Sequence, residues 1–270
     1  GLDAFEPLFQ RHLGQIGRNF ARLVWFGLTV SRFSATPVGA SEFSRRWYQR
    51  INQLSAALAT CADVSLGVLG GDLKRRELLS ARLGDVHSEL FIACSVLKYH
   101  DSTAGSVEAT AHAEYALRRS VHSAQQALVA FCRNFTMPWL GRLLHLLCVP
   151  PGSAVGAPSD DQIRELGELI MQPNPVRKSL AECVYLSQDP DDAVGRVQTT
   201  FDLLLQVDKA WQAFARARDK GEVEADSLQT ALREAADKGI IAEADIEPLA
   251  EYDARRYDCV LTDNFEQAGG

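Results

Sequence analysis

The residues of this chain best suited to nucleophilic, redox or metal chemistry are its six cysteines. They are spread along the sequence, at Cys61, Cys94, Cys132, Cys148, Cys183 and Cys259. No two of them stand close enough to form the CxxC pair typical of a metal site. Several fall on predicted apolar helix faces, so the sequence predicts reduced, buried thiols and no metal site.

The carboxylates and histidines also lack a recognisable catalytic or metal-binding pattern. Glu108 and His112 are four residues apart, whereas di-iron helical bundles use a Glu-x-x-His spacing. Asp85 and Glu89 share a helix face, but a solvated face paired with Arg82 explains them better than acid–base chemistry. No glycine-rich stretch has the preceding strand and following GK[ST] of a phosphate loop. We therefore assign no catalytic, cofactor-binding or metal-binding residue.

Three consecutive bases, Lys74, Arg75 and Arg76, stand where the periodicity predicts the start of a helix. A helix N-terminus already carries partial positive charge, so bases are disfavoured there. Together with Arg82 they are candidates for an anion contact, with acidic residues of a partner, a phospholipid headgroup or another phosphate group. The alternative, in which these bases form internal salt bridges or are solvated, stays open.

The bases lie within a predicted two-helix unit over residues 61–98. Gly70 and Gly71 are expected to end its first helix. The second helix has an apolar inner face whose members recur at steps of three and four, namely Leu79, Leu83, Val86, Leu90, Cys94 and Leu97.

Helical patterns account for almost the whole chain, and strand signals are nearly absent. Ser41 is expected to cap one helix, and further helices are predicted over residues 106–134, 138–149, 159–171, 191–220, 227–238 and 242–260. The sequence thus predicts an all-α fold, a bundle of long antiparallel helices with a second, smaller helical subdomain. The Pro/Gly-rich residues 150–158 are the predicted linker, which divides the chain into a bundle over 1–150 and a subdomain over 151–270 packed on it.

Charge and hydropathy limit the partners of the chain. The net charge of −7 argues against nucleic acid, because duplex-binding proteins concentrate basic residues. No uninterrupted apolar run reaches the ~20 residues that cross a bilayer. Trp25 and Phe26 in a basic N-terminal helix, and Trp139, Leu143 and Leu147 in an apolar helix, are candidates for contact with a membrane surface or a catalytic core domain. Burial inside the bundle is the alternative.

Residues 54–85 read LSAALATCADVSLGVLGGDLKRRELLSARLGD. This run resembles the C-terminal extension of the large bacterial long-chain acyl-CoA dehydrogenases of the fatty-acid-degradation type. The family pattern there is roughly LSA-x-LA-x2-(A/S)DVS-x2-VLGG-x-LKRRE-x-(L/I)SARLGD, with charges and glycines in register. Weaker matches occur at residues 5–19 and 157–170 and in TDNF at residues 262–265. The resemblance covers nearly the whole chain, but only the end of the family's much longer proteins.

The resemblance implies that the parent protein uses FAD to oxidise acyl-CoA to trans-2-enoyl-CoA in fatty-acid β-oxidation. The family's catalytic glutamate lies in an EGA-type motif upstream of the matched region, whereas Glu6 stands in FEP. The flavin contacts also belong mostly to upstream domains, so we expect no cofactor bound to this chain alone. Whether the chain itself is an enzyme stays open.

The sequence therefore predicts a non-catalytic accessory domain that supports dimerisation, docks the catalytic core or brings it to a membrane. Its expected partners are the catalytic acyl-CoA dehydrogenase domains of the same protein, a second copy in a homo-oligomer and the inner-membrane surface. Electron-transfer flavoprotein is expected to accept electrons from the parent enzyme. The expected location is the cytoplasm, including the cytoplasmic face of the inner membrane. The alternative is a stand-alone helical adaptor or scaffold without enzymatic activity.

Overall fold

The computed structural model describes residues 2–29, 31–103 and 106–261, with side chains from residue 5 onward. Within these ranges the chain forms ten α-helices and two short 3-10 helices, Gly70–Arg75 and Glu243–Asp245, and no strand. The α-helices are α1 (Leu2–Thr29), α2 (Glu42–Leu69), α3 (Glu77–Ser102), α4 (Val107–Arg133), α5 (Pro138–Cys148), α6 (Asp160–Met171), α7 (Pro175–Ala181), α8 (Ala193–Asp219), α9 (Leu228–Asp237) and α10 (Ile246–Val260). The predicted all-α fold is confirmed. The TDNF sequence at 262–265 lies outside the described residues.

The chain divides into two compact units, Gly1–Met171 with α1 to α6 and Gln172–Gly270 with α7 to α10. This division falls after α6 and not at the predicted linker over residues 150–158. That stretch is held to α4 by Gln125, whose amide donates to the Ser153 carbonyl at 3.1 Å and accepts from the Val155 N–H at 2.8 Å. Because these bonds satisfy backbone groups that a free linker leaves to water, the stretch belongs to the first unit.

Helix α2 begins and ends where its sequence predicts. The Ser41 hydroxyl accepts a hydrogen bond from the Ser44 N–H at 3.1 Å, which satisfies one of the free donors of the first turn. At the other end Gly70 adopts φ +52°, a left-handed conformation that glycine reaches without a steric cost. Both the serine cap and the glycine stop are confirmed.

Among the described residues one stretch, Glu42–Arg75, is long and apolar enough to cross a membrane by length and hydropathy alone. It contains Asp63, whose carboxylate accepts a hydrogen bond from the Asn19 side chain of α1 at 2.9 Å. Ten residues of α2 are buried, which is the pattern of a helix at the centre of a bundle. One face of this stretch therefore packs within the first unit, while Leu66 and Val68 near its end are exposed.

Helices α3 and α4 pack along each other and contribute many side chains to the core of the first unit. The predicted buried face of α4 is confirmed at Leu117, Val121, Ala124, Leu128 and Phe131. The predicted inner face of α3 holds except at Cys94, which is exposed. Ala93 is buried in its place. One helical turn of 3.6 residues after Leu90 ends between positions 93 and 94, so either residue could face inward.

Glu114 of α4 ties α2 to α4. Its carboxylate accepts hydrogen bonds from Trp47 Nε1 and Arg46 of α2, both at 2.9 Å, and from Arg118 at 2.8 Å. Trp47 is only 3% exposed, so its indole N–H depends on this acceptor.

The second unit has a separate core where α8, α9 and α10 meet. The helical apolar pattern of α8 includes Val194 and Val197, but both are exposed, because this core begins further along α8, near Leu203. Gly239, at φ +69°, makes the predicted turn after α9. The core side chains include Val207, Phe214, Ala231, Leu232, Leu249 and Tyr252.

A carboxylate of α9 closes the loop between α8 and α9. Glu234 accepts hydrogen bonds from Lys238 Nζ at 2.5 Å, from the Ala225 N–H at 3.1 Å and from the Glu224 N–H at 3.2 Å. The hydrogen bond from Lys238 is the main reason that the pKa of Glu234 lies below its ordinary value of 4.5.

Candidate functional site

The periodicity predicts that the three consecutive bases begin a helix, and this prediction is wrong. Lys74 and Arg75 form the end of the 3-10 helix, Arg76 is the non-helical residue before α3, and α3 itself begins at Glu77. A helix C-terminus carries partial negative charge and favours cations, while an acid favours the first turn of the next helix. The electrostatic conflict expected from the sequence is therefore absent, because a break separates the bases from α3.

All three bases are exposed. Among the described residues, the one ion pair that they form joins Arg75 to Asp72 at 3.8 Å, with side chains 86% and 67% exposed. Such an exposed pair contributes little free energy, because water screens it. The side chains at this turn are thus accessible to an anion.

Arg82 lies in a different environment from the other three bases. It is half-buried and lines an open groove between α3 and α4 together with Asp85, Glu89 and Gln126. The expected ion pairs of Arg82 with Asp85 and Glu89 do not form within the described part of the chain. Glu89 Oε2 is buried without a hydrogen-bond partner. Arg82 is therefore less accessible to an anion than the other three bases.

The five apolar candidates divide by burial. Trp25 is 54% exposed, Trp139 is 61% exposed, and Leu143 is also exposed. Phe26 is only 7% exposed and belongs to the core, so its proposed role as a membrane or core-domain contact is wrong. Leu147 is half-buried and packs against the same core. The helical period explains the difference, because adjacent residues such as Trp25 and Phe26 point about 100° apart.

The first half of α1 carries an apolar surface that sequence reasoning did not single out. Every residue from 5 to 15 is exposed, and Phe5, Leu8, Phe9 and Leu13 repeat at helical spacing on one face. The rings of Phe5 and Phe9 stack with centroids 5.7 Å apart. We call these four residues the α1 stripe. Its signal in the sequence was an amphipathic pattern, which by itself does not tell a buried face from an exposed one.

Three cysteines that are remote in sequence meet in the core of the first unit. Cys61 of α2, Cys132 of α4 and Cys148 of α5 are all buried, and their sulfur atoms lie within 4.8 Å of one another. The Sγ atoms of Cys61 and Cys148 are 3.6 Å apart. We call these residues the thiol cluster.

The thiols of the cluster differ in acidity because they hydrogen-bond to one another. Hydrogen bonds from Cys148 and Cys61 lower the pKa of Cys132 below its ordinary value of 9.0. Hydrogen bonding to Cys132 is the largest cause that raises the pKa values of Cys61 and Cys148. The three thiols are therefore linked to one another by hydrogen bonds.

Whereas Cys94 and Cys183 are exposed, the prediction of buried thiols holds for these three cysteines. Their separations along the chain carry no signal of the cluster, because the sulfurs come together only when α2, α4 and α5 pack. One local feature does bear on that packing. A Cβ on Gly141 of α5 would lie 2.3 Å from the carbonyl oxygen of Cys132, so only glycine allows α5 to approach α4 this closely.

Comparison with known families agrees with the motif at residues 54–85. The family described as "Acyl-CoA dehydrogenase, C-terminal, bacterial type" matches residues 1–265, which span both compact units. No solved structure matches the chain. The chain therefore belongs to the bacterial-type C-terminal domain family of the acyl-CoA dehydrogenases.

Proposed function

We propose that this chain is the accessory, non-catalytic C-terminal domain of a FAD-dependent acyl-CoA dehydrogenase, and that its α1 stripe docks against the catalytic domains of the same protein. The observation that carries the proposal is the exposure of Phe5, Leu8, Phe9 and Leu13 on one face of a helix. A contiguous exposed apolar surface marks an interaction site more often than a free surface. Membership of the family supplies the partner's chemistry.

In this proposal the reaction takes place in the other domains of the protein. There a glutamate removes the α-proton of the acyl-CoA and FAD accepts the β-hydride, which yields trans-2-enoyl-CoA for β-oxidation. Electron-transfer flavoprotein then reoxidises the flavin. This chain contributes the docking surface and, through a second copy, the contacts of a homo-oligomer.

The first test replaces the apolar side chains of the stripe. The triple variant Phe5→Gln, Leu8→Gln and Phe9→Gln is expected to lose association with the separately produced catalytic domains in sedimentation velocity. In the intact protein it is expected to reduce turnover of palmitoyl-CoA with an artificial acceptor. Far-UV circular dichroism checks that the bundle still folds.

A matched control lies on the opposite face of the same helix. Arg11→Gln and Gly14→Gln introduce the same side chain, and a Cβ on Gly14 meets no atom within 4 Å. The control is expected to associate like the unchanged protein. Equal association of the stripe variant and the control would refute docking through α1.

The exposed bases at Lys74, Arg75 and Arg76 are the second element of the proposed interface. Reversal of all three charges to Glu is expected to weaken docking, most strongly at low salt, while leaving the fold intact. Lys98→Glu, at another exposed base, serves as the control. If the reversed-charge protein unfolds, the bases are structural and the contact role is wrong.

A second candidate function is peripheral attachment of the parent enzyme to the cytoplasmic face of the inner membrane. It is favoured by the exposure of Trp25, Trp139 and Leu143 on α1 and α5, two helices that pack together. Amphipathic aromatic side chains suit a membrane–water interface. Trp25→Ser with Trp139→Ser is expected to abolish co-sedimentation with anionic phospholipid vesicles. Absence of binding by the unchanged chain at low salt would remove this candidate.

The stand-alone adaptor remains the competing assignment, and two measurements separate it from the accessory domain. The accessory domain predicts that the full reading frame encodes a flavin-binding dehydrogenase domain with an EGA-type glutamate before this segment. It also predicts that the purified chain has no flavin absorbance and no turnover of palmitoyl-CoA. A gene that begins at this segment would establish the adaptor instead.

A further inference from the structure

We propose that Cys61, Cys132 and Cys148 form a binding site for a single thiophilic divalent cation of the zinc type, at the junction of α2, α4 and α5. This site lies in the core of the first unit and is independent of the docking surface on α1. Its function would be structural, because all three ligands are buried.

The separations between the sulfur atoms match those of a metal–thiolate centre. A zinc–sulfur bond of about 2.3 Å places sulfur ligands about 3.8 Å apart in a tetrahedral site and about 4.0 Å apart in a trigonal one. The sulfurs of Cys61 and Cys148 are 3.6 Å apart, and all three sulfurs lie within 4.8 Å of one another. The cluster therefore reaches metal-binding geometry with side-chain movements of less than about 1 Å.

The donor set selects the class of cation. Three sulfur donors favour zinc and other soft or borderline cations, whereas Mg²⁺ and Ca²⁺ require oxygen ligands. A free cysteine behaves as a small apolar side chain, which explains why each of the three is in the core. It does not explain why sulfurs from three different helices converge on one point.

Binding is an exchange of protons for the cation. One divalent cation and three thiols give one tris(thiolate) centre of net charge −1 and three protons, which leave to solvent. No oxidation is involved. The product links three helices of the first unit, so the bound cation stabilises the folded state over the unfolded chain.

The test uses the full chain in a background that retains only the three cluster cysteines, with Cys94→Ser, Cys183→Ser and Cys259→Ser. Because the cluster is buried, the protein is refolded with one equivalent of Cd²⁺ as the probe. The expected results are one Cd²⁺ per chain in native mass spectrometry, an ultraviolet sulfur-to-cadmium charge-transfer band and a higher Tm than without the cation. X-ray absorption is expected to count three sulfur neighbours, and in this background the cluster supplies every cysteine sulfur of the chain.

Single replacements then identify the ligands. Cys61→Ser, Cys132→Ser and Cys148→Ser are each expected to lose the band and the Cd²⁺-dependent rise in Tm. If a single variant does not fold, the number of sulfur neighbours in the protein that retains all three cluster cysteines still decides whether the cluster binds the cation. Absence of bound Cd²⁺ after refolding, or fewer than three sulfur neighbours, would overturn the assignment. A protein whose mass is lower by two hydrogens, with Cys61 joined to Cys148, would overturn the metal site and assign a disulfide instead.

Discussion

Replacement of Gly141 by alanine tests whether the close approach of α5 to α4 is as tight as the structure describes. The added Cβ would lie 2.3 Å from the Cys132 carbonyl oxygen and 3.3 Å from Cβ of Phe135. The first neighbour is backbone and cannot rotate away, so the two helices must separate by roughly 1 Å to restore a van der Waals contact. Overpacking of this kind costs about 1–3 kcal/mol, against about 0.5–1 kcal/mol gained from the better helix propensity of alanine.

The net loss, up to about 2.5 kcal/mol and about 1 kcal/mol at the middle of the two ranges, should appear in urea unfolding of the first unit. With Trp211→Phe, the remaining tryptophans, at positions 25, 47 and 139, all report on that unit. The expected change is a lower urea midpoint and a Tm lowered by roughly 2–8 °C.

The control is the same chemical change at Gly84, in the exposed middle of α3, where a Cβ meets no atom within 4 Å. Gly84→Ala is expected to stabilise the protein by about 0.5–1 kcal/mol. The two alanines should therefore move the midpoint in opposite directions. If Gly141→Ala is as stable as the unchanged protein, the argument for a tight α4–α5 contact is wrong.

Three further predictions concern other parts of the chain. Leu128→Ala, in the core, should cost about 2–5 kcal/mol, whereas Leu78→Ala, on the surface, should change stability by less than about 0.5 kcal/mol in the same urea assay. Glu114→Leu should cost about 1–3 kcal/mol, because the buried indole N–H of Trp47 loses its acceptor, and a value near zero would contradict this. Glu234 has a lowered pKa, so its stabilising effect is present above pH 4.5 and is lost as the pH falls below it. Glu234→Gln should therefore make the stability of the second unit depend less on pH below pH 4.5. The fluorescence of Trp211, the single tryptophan of that unit, measures this unfolding.

The helices were predictable from the sequence because their signals are local. Ser41 caps α2, Ser106 caps α4 and Gly239 ends the turn after α9, and each acts on groups within a few residues. Helix α7 was missed because Pro173 and Pro175 suggested a break. Proline at the first position of a helix begins it instead, since its missing N–H has no partner there anyway.

The candidate sites were less predictable because they depend on contacts between distant segments. The sequence predicts buried thiols and leaves Phe26 either at a contact surface or inside the bundle. It could not show that three thiols converge or that Phe26 turns inward beside the exposed Trp25. The bases at 74–76 were assigned to the wrong helix end, because a 3-10 helix of six residues leaves no periodic signal of its own.

The exposed first half of α1 has a consequence for how the domain responds to its partner. A helical segment of about 11 residues without tertiary packing is only marginally stable in water. Residues 5–15 are all exposed, and the first buried side chain of α1 among the described residues is that of Asn19. In the proposed docking through the α1 stripe, helix formation and binding are parts of one equilibrium, and the ordering entropy of this segment lowers the affinity. Amide hydrogen exchange in residues 5–15 would thus measure what fraction of the domain is docked at any moment.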